Sequence, residues 1–319
     1  MNRAGFFIAI LGFASTAFAQ LLVLNKEGNV AVVDPSTDKV LGRGPTGEGP
    51  HEVVSTNDGK YAVASNYGAG QQPGHTLSVI DIATFQEVHR ADLSPQTRPH
   101  GLFAAGGKVY FTCEGTKTIG RYDPATNRVD WILGTGQDGT HMIALSKDGG
   151  KIFTANIQSG SISIFERGAN DWHQTVVPVG RGAEGFDISP DERELWTANA
   201  GDQTVSIVSI AEKRVTRTFP VSARRSNRLK FTPDGKRVLI SDLNTGNLLV
   251  LDAASRKEIK TIKIGSGIAG ILISPDGSTA YVAATPDNYV GVVDLRTLEL
   301  ARRIQTGKGP DGMDWVSGR

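Results

Sequence analysis

The sequence predicts an all-β fold, a seven-bladed β-propeller of four-stranded antiparallel blades, and three observations carry that prediction. A P-D-G turn or a close variant recurs, with aspartates at Asp58, Asp148, Asp191, Asp234 and Asp276; the last three intervals are 43, 43 and 42 residues. A strand–turn–strand hairpin recurs seven times, from "VAVVDPSTDKV" to "VGVVDLRTLEL". Its matched turn positions are Asp34, Asp81, Asp123, Glu166, Ser209, Asp252 and Asp294. Finally, the two ends complement each other. "LLVLNKEGNVAVVDP" lacks an innermost strand, and "GPDGMDWV" is an innermost strand lacking partners. Joined, they complete a seventh blade and leave no open sheet edge.

Taken in order, residues 1–19 read as a cleaved export signal. Arg3 gives a positive start, "GFFIAILGFASTAF" is apolar, and Ala17-Phe18-Ala19 is a small-x-small site before Gln20. The apolar stretch is short for a membrane span, no cysteine follows it for lipid attachment, and no other segment could cross a bilayer. Residues 20–319 are expected to form one propeller domain in a periplasmic or secreted protein. The chain carries 34 basic and 33 acidic side chains, and loss of Arg3 would leave 33 of each. That balance excludes a nucleic-acid-binding or polybasic membrane-binding surface. Cys113 is the only cysteine, so the core, or a bound metal, must stabilise the fold without an intramolecular disulfide.

Between the turns, every unit has about four short runs of β-branched and aromatic residues, with Gly, Asn and Asp between them. No run shows helical periodicity. The 90-residue gap between Asp58 and Asp148 holds one more copy, "LFAAGGKVYFT", turned by Gly106-Gly107. Trp131, Trp172, Trp196 and Trp315 fall on blade strands and read as packing between blades.

The strand ends "AVASN", "IFTAN", "LWTAN", "YVAAT" and "LLVLN" resemble the signature of the YVTN-repeat β-propellers, over essentially all of residues 20–319. The resemblance implies the fold and its topology. Such repeats occur in binding proteins, surface proteins and lactonase-like enzymes, so the activity has to be argued from the site.

Stacking the units locates that site. Seven residues before each turn aspartate lies the start of an innermost strand, at one mouth of the central channel. Round the ring this position holds His51, His100, His141, Glu184, Asn227, Ala269 and Asp311. Three of the six histidines of the chain occupy it in adjacent blades, and a carboxylate follows. Histidine with a carboxylate is a transition-metal ligand set. His51, His100, His141 and Glu184 are therefore the expected ligands of a divalent ion (Zn, Cu, Fe, Ni or Mn). A ring of hydrogen-bonding corner residues is the structural alternative.

The second-strand ends, on the same face, are matched as Asn25, Asn66, Glu114, Asn156, Asn199, Asp242 and Thr285. The Asn copies are expected to close the following turn on their own backbone. Glu114 departs from that pattern, and Glu184 and Glu114 are the expected proton-moving residues. Glu52, Asn227, Arg228, Asp242 and Asp311 are the expected ligand-binding set. Arg98, Arg181, Arg224 and Arg225 precede first strands and suit a carboxylate or phosphate. The long loop "NYGAGQQPGHT" is placed to cover the mouth, while His89 and His173 fall on outer strands.

"GSGIAG" enters a strand and has no helix N-terminus with which to bind a dinucleotide. The functional expectation is a metal site holding a small anionic or carbonyl ligand, with hydrolase (lactonase-like) or lyase chemistry. Its rival is a non-catalytic module that binds a ligand or a cell-envelope protein partner.

Overall fold

The computed structural model describes residues 20–316; the leader expected at residues 1–19 lies outside the described residues. Seven four-stranded antiparallel sheets form the blades. Their innermost strands, blades one to seven, are Pro50–Ser55, Pro99–Ala105, Thr140–Leu145, Ala183–Ile188, Ser226–Phe231, Ile271–Ile273 and Pro310–Trp315. Blade seven is composite. Pro310–Trp315 pairs with Leu21–Asn25, Leu21 opposite Trp315, so the last strand is held by the first. A single 3-10 turn, Thr285–Asp287, is the only helical element among the described residues. None is long and apolar enough to cross a membrane.

The repeated aspartates do what their spacing implies. Thr56, Ser146, Ser189 and Thr232 each donate to the turn aspartate two residues on, at 2.6 Å. Blade two has no such pair. Its turn glycines, Gly106 and Gly107, have φ of 57° and 75°, the left-handed pair that a two-residue hairpin needs. Between blades the packing is apolar. Trp196 of blade four is 1% exposed and meets Phe231 of blade five edge-on at 5.3 Å. Trp315 of blade seven meets Tyr281 of blade six at 5.4 Å, and Trp131 and Trp172 meet across blades two and three.

Two features position the mouth. First, the innermost strands are bulged near their starts: register shifts lie between Pro50 and Val53, Pro99 and Leu102, Ala183 and Phe186, and Ser226 and Leu229. A bulge places an extra residue in one strand and re-aims side chains. Two consecutive residues can then serve the channel, as do His51 with Glu52 and Asn227 with Arg228. Where no second side chain is presented, the next blade comes close. A Cβ on Gly185 would lie 2.3 Å from the Asn227 carbonyl oxygen, and one on Gly270 2.0 Å from that of Asp311.

Second, the residue after each second-strand end is tied to the strand start two residues before the mouth position. Tyr67 donates its N–H to Gly49, Glu114 to Arg98, Ile157 to Gly139 and Ala200 to Gly182. The ladder corrects the sequence alignment of blade two. Cys113, not Glu114, pairs with Pro99 as Asn66 pairs with Pro50, and Glu114 lies one position further out. The Asn positions also differ from expectation. Asn66, Asn156 and Asn199 donate to hydroxyls of the third strand, at Ser78, Ser163 and Ser206, rather than closing a turn on their own backbone. Serine and threonine at alternate third-strand positions make those partners available.

Candidate functional site

The imidazoles of blades one to three converge. The ring centroids of His51 and His100 are 5.0 Å apart and those of His100 and His141 3.7 Å apart. His100 and His141 are buried, 4% and 6% exposed. The outward shift of Glu114 brings its carboxylate to this group. His141 Nδ1 lies 2.5 Å from Glu114 Oε1, and the Tyr67 hydroxyl donates to Glu114 Oε2 at 2.5 Å. His100, Glu114 and His141 present ligand atoms within 4.8 Å of one another, a group that could hold a metal ion. His51 and Tyr67 rings pack against each other at 4.8 Å.

The hydrogen bonds determine which nitrogens remain available. A carbonyl oxygen only accepts, so His51 Nδ1 donates to Gly49 at 2.9 Å and leaves the Nε2 lone pair available. His141 Nδ1 is engaged by Glu114, and its Nε2 is buried without a hydrogen-bond partner, as is His100 Nδ1. Buried polar atoms are normally satisfied, and two orphaned ring nitrogens on adjacent imidazoles need an explanation. A carboxylate or backbone carbonyl on one nitrogen with the other free is the arrangement of a metal-binding histidine. On that ground the residues fit a transition-metal ion.

Electrostatics favours the metal-ready protonation states. Burial, and then the neighbouring His141 and His51, hold His100 well below the usual imidazole range. Burial, followed by Lys26, lowers His51 as well. For Glu114, burial pushes the carboxyl up, but the bonds from His141 and Tyr67 outweigh it and keep it lowered. Burial and the bond to Glu114 push Tyr67 up to about 12, so its hydroxyl stays protonated.

Blades four to seven form a charged arc opposite the imidazoles. Asn227 donates to Glu184, and Arg228 pairs with Glu52 across the channel. Burial opposes the Arg228 cation, but Glu52, Asp311 and Glu184 together hold its pKa above the ordinary value. Asp311, 3% exposed, pairs through Oδ2 with Lys26 at 2.9 Å and leaves Oδ1 buried without a partner. Glu184 thus lies on the mouth ring, but the ligand group around His100 and His141 takes Glu114 as its carboxylate. Asp242 serves its own loop, accepting from the N–H groups of Arg224 and Asn244 and from the Thr245 hydroxyl.

Arg181 pairs with Asp202 on the surface. Arg98 is different: its guanidinium carbon lies 5.1 Å from the Tyr67 ring centroid and its Nη2 donates to Gly70. The expected covering loop is a hairpin extension, Tyr61–Ala69 against Gln72–Asp81, whose ladder continues to Ala69 opposite Gln72. His75, His89 and His173 are exposed. Sequence reasoning missed Tyr67 and Lys26. Both directly follow a second-strand Asn, and counting one residue beyond that Asn would have placed Lys26 and Tyr67 on one ring; Glu114 joins them only because the ladder puts Cys113 at the Asn position.

No protein-family profile matches the chain. Among curated proteins it is similar to the uncharacterized protein YncE of Salmonella typhimurium, 22% identical over 142 residues; these are 44% of this chain and 40% of that protein, so the alignment spans less than half the relative's length. Among solved structures it is similar to a candidate 6-phosphogluconolactonase of Bacteroides fragilis, with TM-score 0.78, 14% identity, and 95% and 99% of the two chains covered. A second such protein, from Bacteroides uniformis, gives TM-score 0.75, 16% identity, and 93% and 99% coverage. Kuenenia stuttgartiensis hydrazine synthase contains a similar chain, with TM-score 0.76, 19% identity, and 86% and 92% coverage. At these identities the likeness is one of fold, and the fold is the seven-bladed propeller that YVTN-type repeats imply.

Proposed function

We propose that this is an exported propeller, with residues 1–19 as its leader and a single domain following. Its mouth would bind a divalent transition-metal ion together with a small anionic or carbonyl ligand. The observation that carries this reading is the pair of buried, unpartnered ring nitrogens on His100 and His141, set beside the Glu114 carboxylate. His100 and His141 would hold the ion, with the Nε2 of His51 as a further ligand. Glu114 either joins them or fixes His141 through Nδ1.

Such an ion, when bound, supplies a Lewis acid that polarises a ligand oxygen. The side chains do the remainder. Glu114, oriented by the Tyr67 hydroxyl, is the carboxylate that would accept a proton, and Glu184 and Asp311 are further carboxylates on the same mouth. Lys26 and Arg98 at the rim supply positive charge for a ligand anion. Hydrolysis of a lactone-like ester is the reaction class to which this combination is suited. The solved structures named as lactonases point the same way, at the level of fold only.

Elemental analysis of protein purified without a histidine tag tests the reading. Near-stoichiometric metal is expected, and it should disappear in a His51→Ala/His100→Ala/His141→Ala variant that still melts cooperatively. Metal-free protein whose melting temperature is unmoved by added Zn, Cu, Ni, Mn or Fe would refute it, because a ligand bound to the folded state alone must stabilise that state.

A further inference from the structure

The axial channel is divided. The Glu52–Arg228 ion pair crosses it just below the imidazoles, where the blade backbones also crowd together at Gly185 and Gly270. Beneath that partition a second cavity of about 280 Å³ occupies the other half of the channel, reaching Asn57 in the turn after the first innermost strand. It therefore opens toward the face opposite the mouth. Its size lies near the lower end of the ~300–1,000 Å³ range of small-molecule sites.

The wall is about half apolar, with Val54, Phe103, Met142, Ala144, Ile271 and Met313 among the lining residues. Methionine thioethers and aromatic rings are adaptable, polarisable surfaces that accommodate an organic cation. Five charged groups face the space: Glu52, Asp187, Arg228, Lys230 and Asp314. Glu52 is neutralised by Arg228. Asp187 lies 3.6 Å from Lys230 and accepts the Phe231 N–H with its other oxygen. Among the described residues no cation is bonded to Asp314; its Oδ2 accepts the Ser55 backbone N–H at 2.8 Å. Among the described residues, three carboxylates against two cations leave the cavity one negative charge in excess, centred on Asp314. A carboxylate partly withdrawn from water is costly unless a cation joins it.

We propose that this lower chamber is a second binding site, separate from the mouth, that takes a small organic ammonium ion. The ammonium would pair with Asp314, and the apolar part would lie against the methionines and Phe103. The selectivity follows from the charge count: a neutral isostere leaves Asp314 unpaired, and an anion adds to the excess.

Calorimetric titration with n-butylammonium, 1-butanol and butyrate tests the proposal. The expected result is saturable one-to-one binding of butylammonium, at least about tenfold tighter than butanol, and no binding of butyrate. Asp314→Asn should weaken the ammonium by about tenfold or more and leave butanol unchanged. Ala144→Phe, which fills the chamber, should abolish both. His100→Ala/His141→Ala should leave butylammonium binding intact, which separates this chamber from the mouth. Circular dichroism melts establish which variants are folded; if Asp314→Asn is not, the ligand series and Ala144→Phe carry the test. Absence of saturable butylammonium binding up to about 10 mM would overturn the proposal. So would equal affinity for butylammonium and butanol, or binding that survives Ala144→Phe.

Discussion

A buried ring nitrogen without a partner and a half-buried carboxylate to which no described cation bonds are the same kind of signal, a polar group whose desolvation its neighbours offset at most in part. His100 and His141 give the first at the mouth, and Asp314 gives the second in the lower chamber. The environment of Asp314 has a consequence that involves no ligand. Burial, opposed by the Ser55 and Trp315 N–H groups, raises its carboxyl from the usual 3.8 to about 6. A raised folded-state value means that the protonated form contributes stability, complete below about pH 4 and lost as pH rises through about 6. Wild type should therefore lose stability relative to Asp314→Asn across that window, read from urea midpoints at each pH. A difference that stays constant from pH 4 to pH 6 would show that Asp314 is solvated.

At the level of the element, the corner before each innermost strand is the instructive unit. Gly49, Gly139, Gly182 and Gly309 occupy it with φ between 58° and 72°, as the left-handed corner requires. Blade two puts Arg98 there, with φ of 56°. A non-glycine residue held in this region costs on the order of 1–3 kcal/mol, and such strain concentrates at functional sites. What Arg98 supplies in return is a clamp on the covering hairpin. Its N–H donates to Gly74, its guanidinium donates to Gly70, and it lies over Tyr67, which holds Glu114. Arg98→Gly should leave the melting temperature within a few degrees of wild type, because relieved strain offsets lost contacts. It should also speed proteolytic cleavage within residues 68–74. A large drop in melting temperature, with the hairpin as resistant as before, would show that the clamp is not what Arg98 provides.

For the whole molecule, closure decides stability. Blade seven takes its innermost strand from the C-terminal end of the described chain and its other three from the N-terminal end, so that blade and its packing against its neighbours are completed only when the ends meet. Removing residues 310–319 would expose the inner edge of Leu21–Asn25, all five residues of which are buried in the closed ring. An unpaired apolar edge recruits other chains. The truncated protein should elute from size-exclusion chromatography as aggregate or higher oligomer, and a monomeric, cooperatively melting truncation would contradict this account of closure.

The blade count, the turns at Asp58 to Asp276 and the composite seventh blade were all legible in the residues, because each rests on a period or on local turn chemistry that needs no distant partner. The histidine ring was legible for the same reason: His51, His100 and His141 share one phase of the repeat. Blade two was matched one residue out of phase, because its glycine turn is shorter and only the backbone ladder shows that Cys113 takes the Asn position. That single residue moved Glu114 onto His141. The Glu52–Arg228 partition and the chamber beneath it join residues 176 apart in sequence. Spacing along the chain says which residues share a level of the repeat. Which of them touch across the channel depends on strand bulges and blade geometry, and only the folded ring decides those.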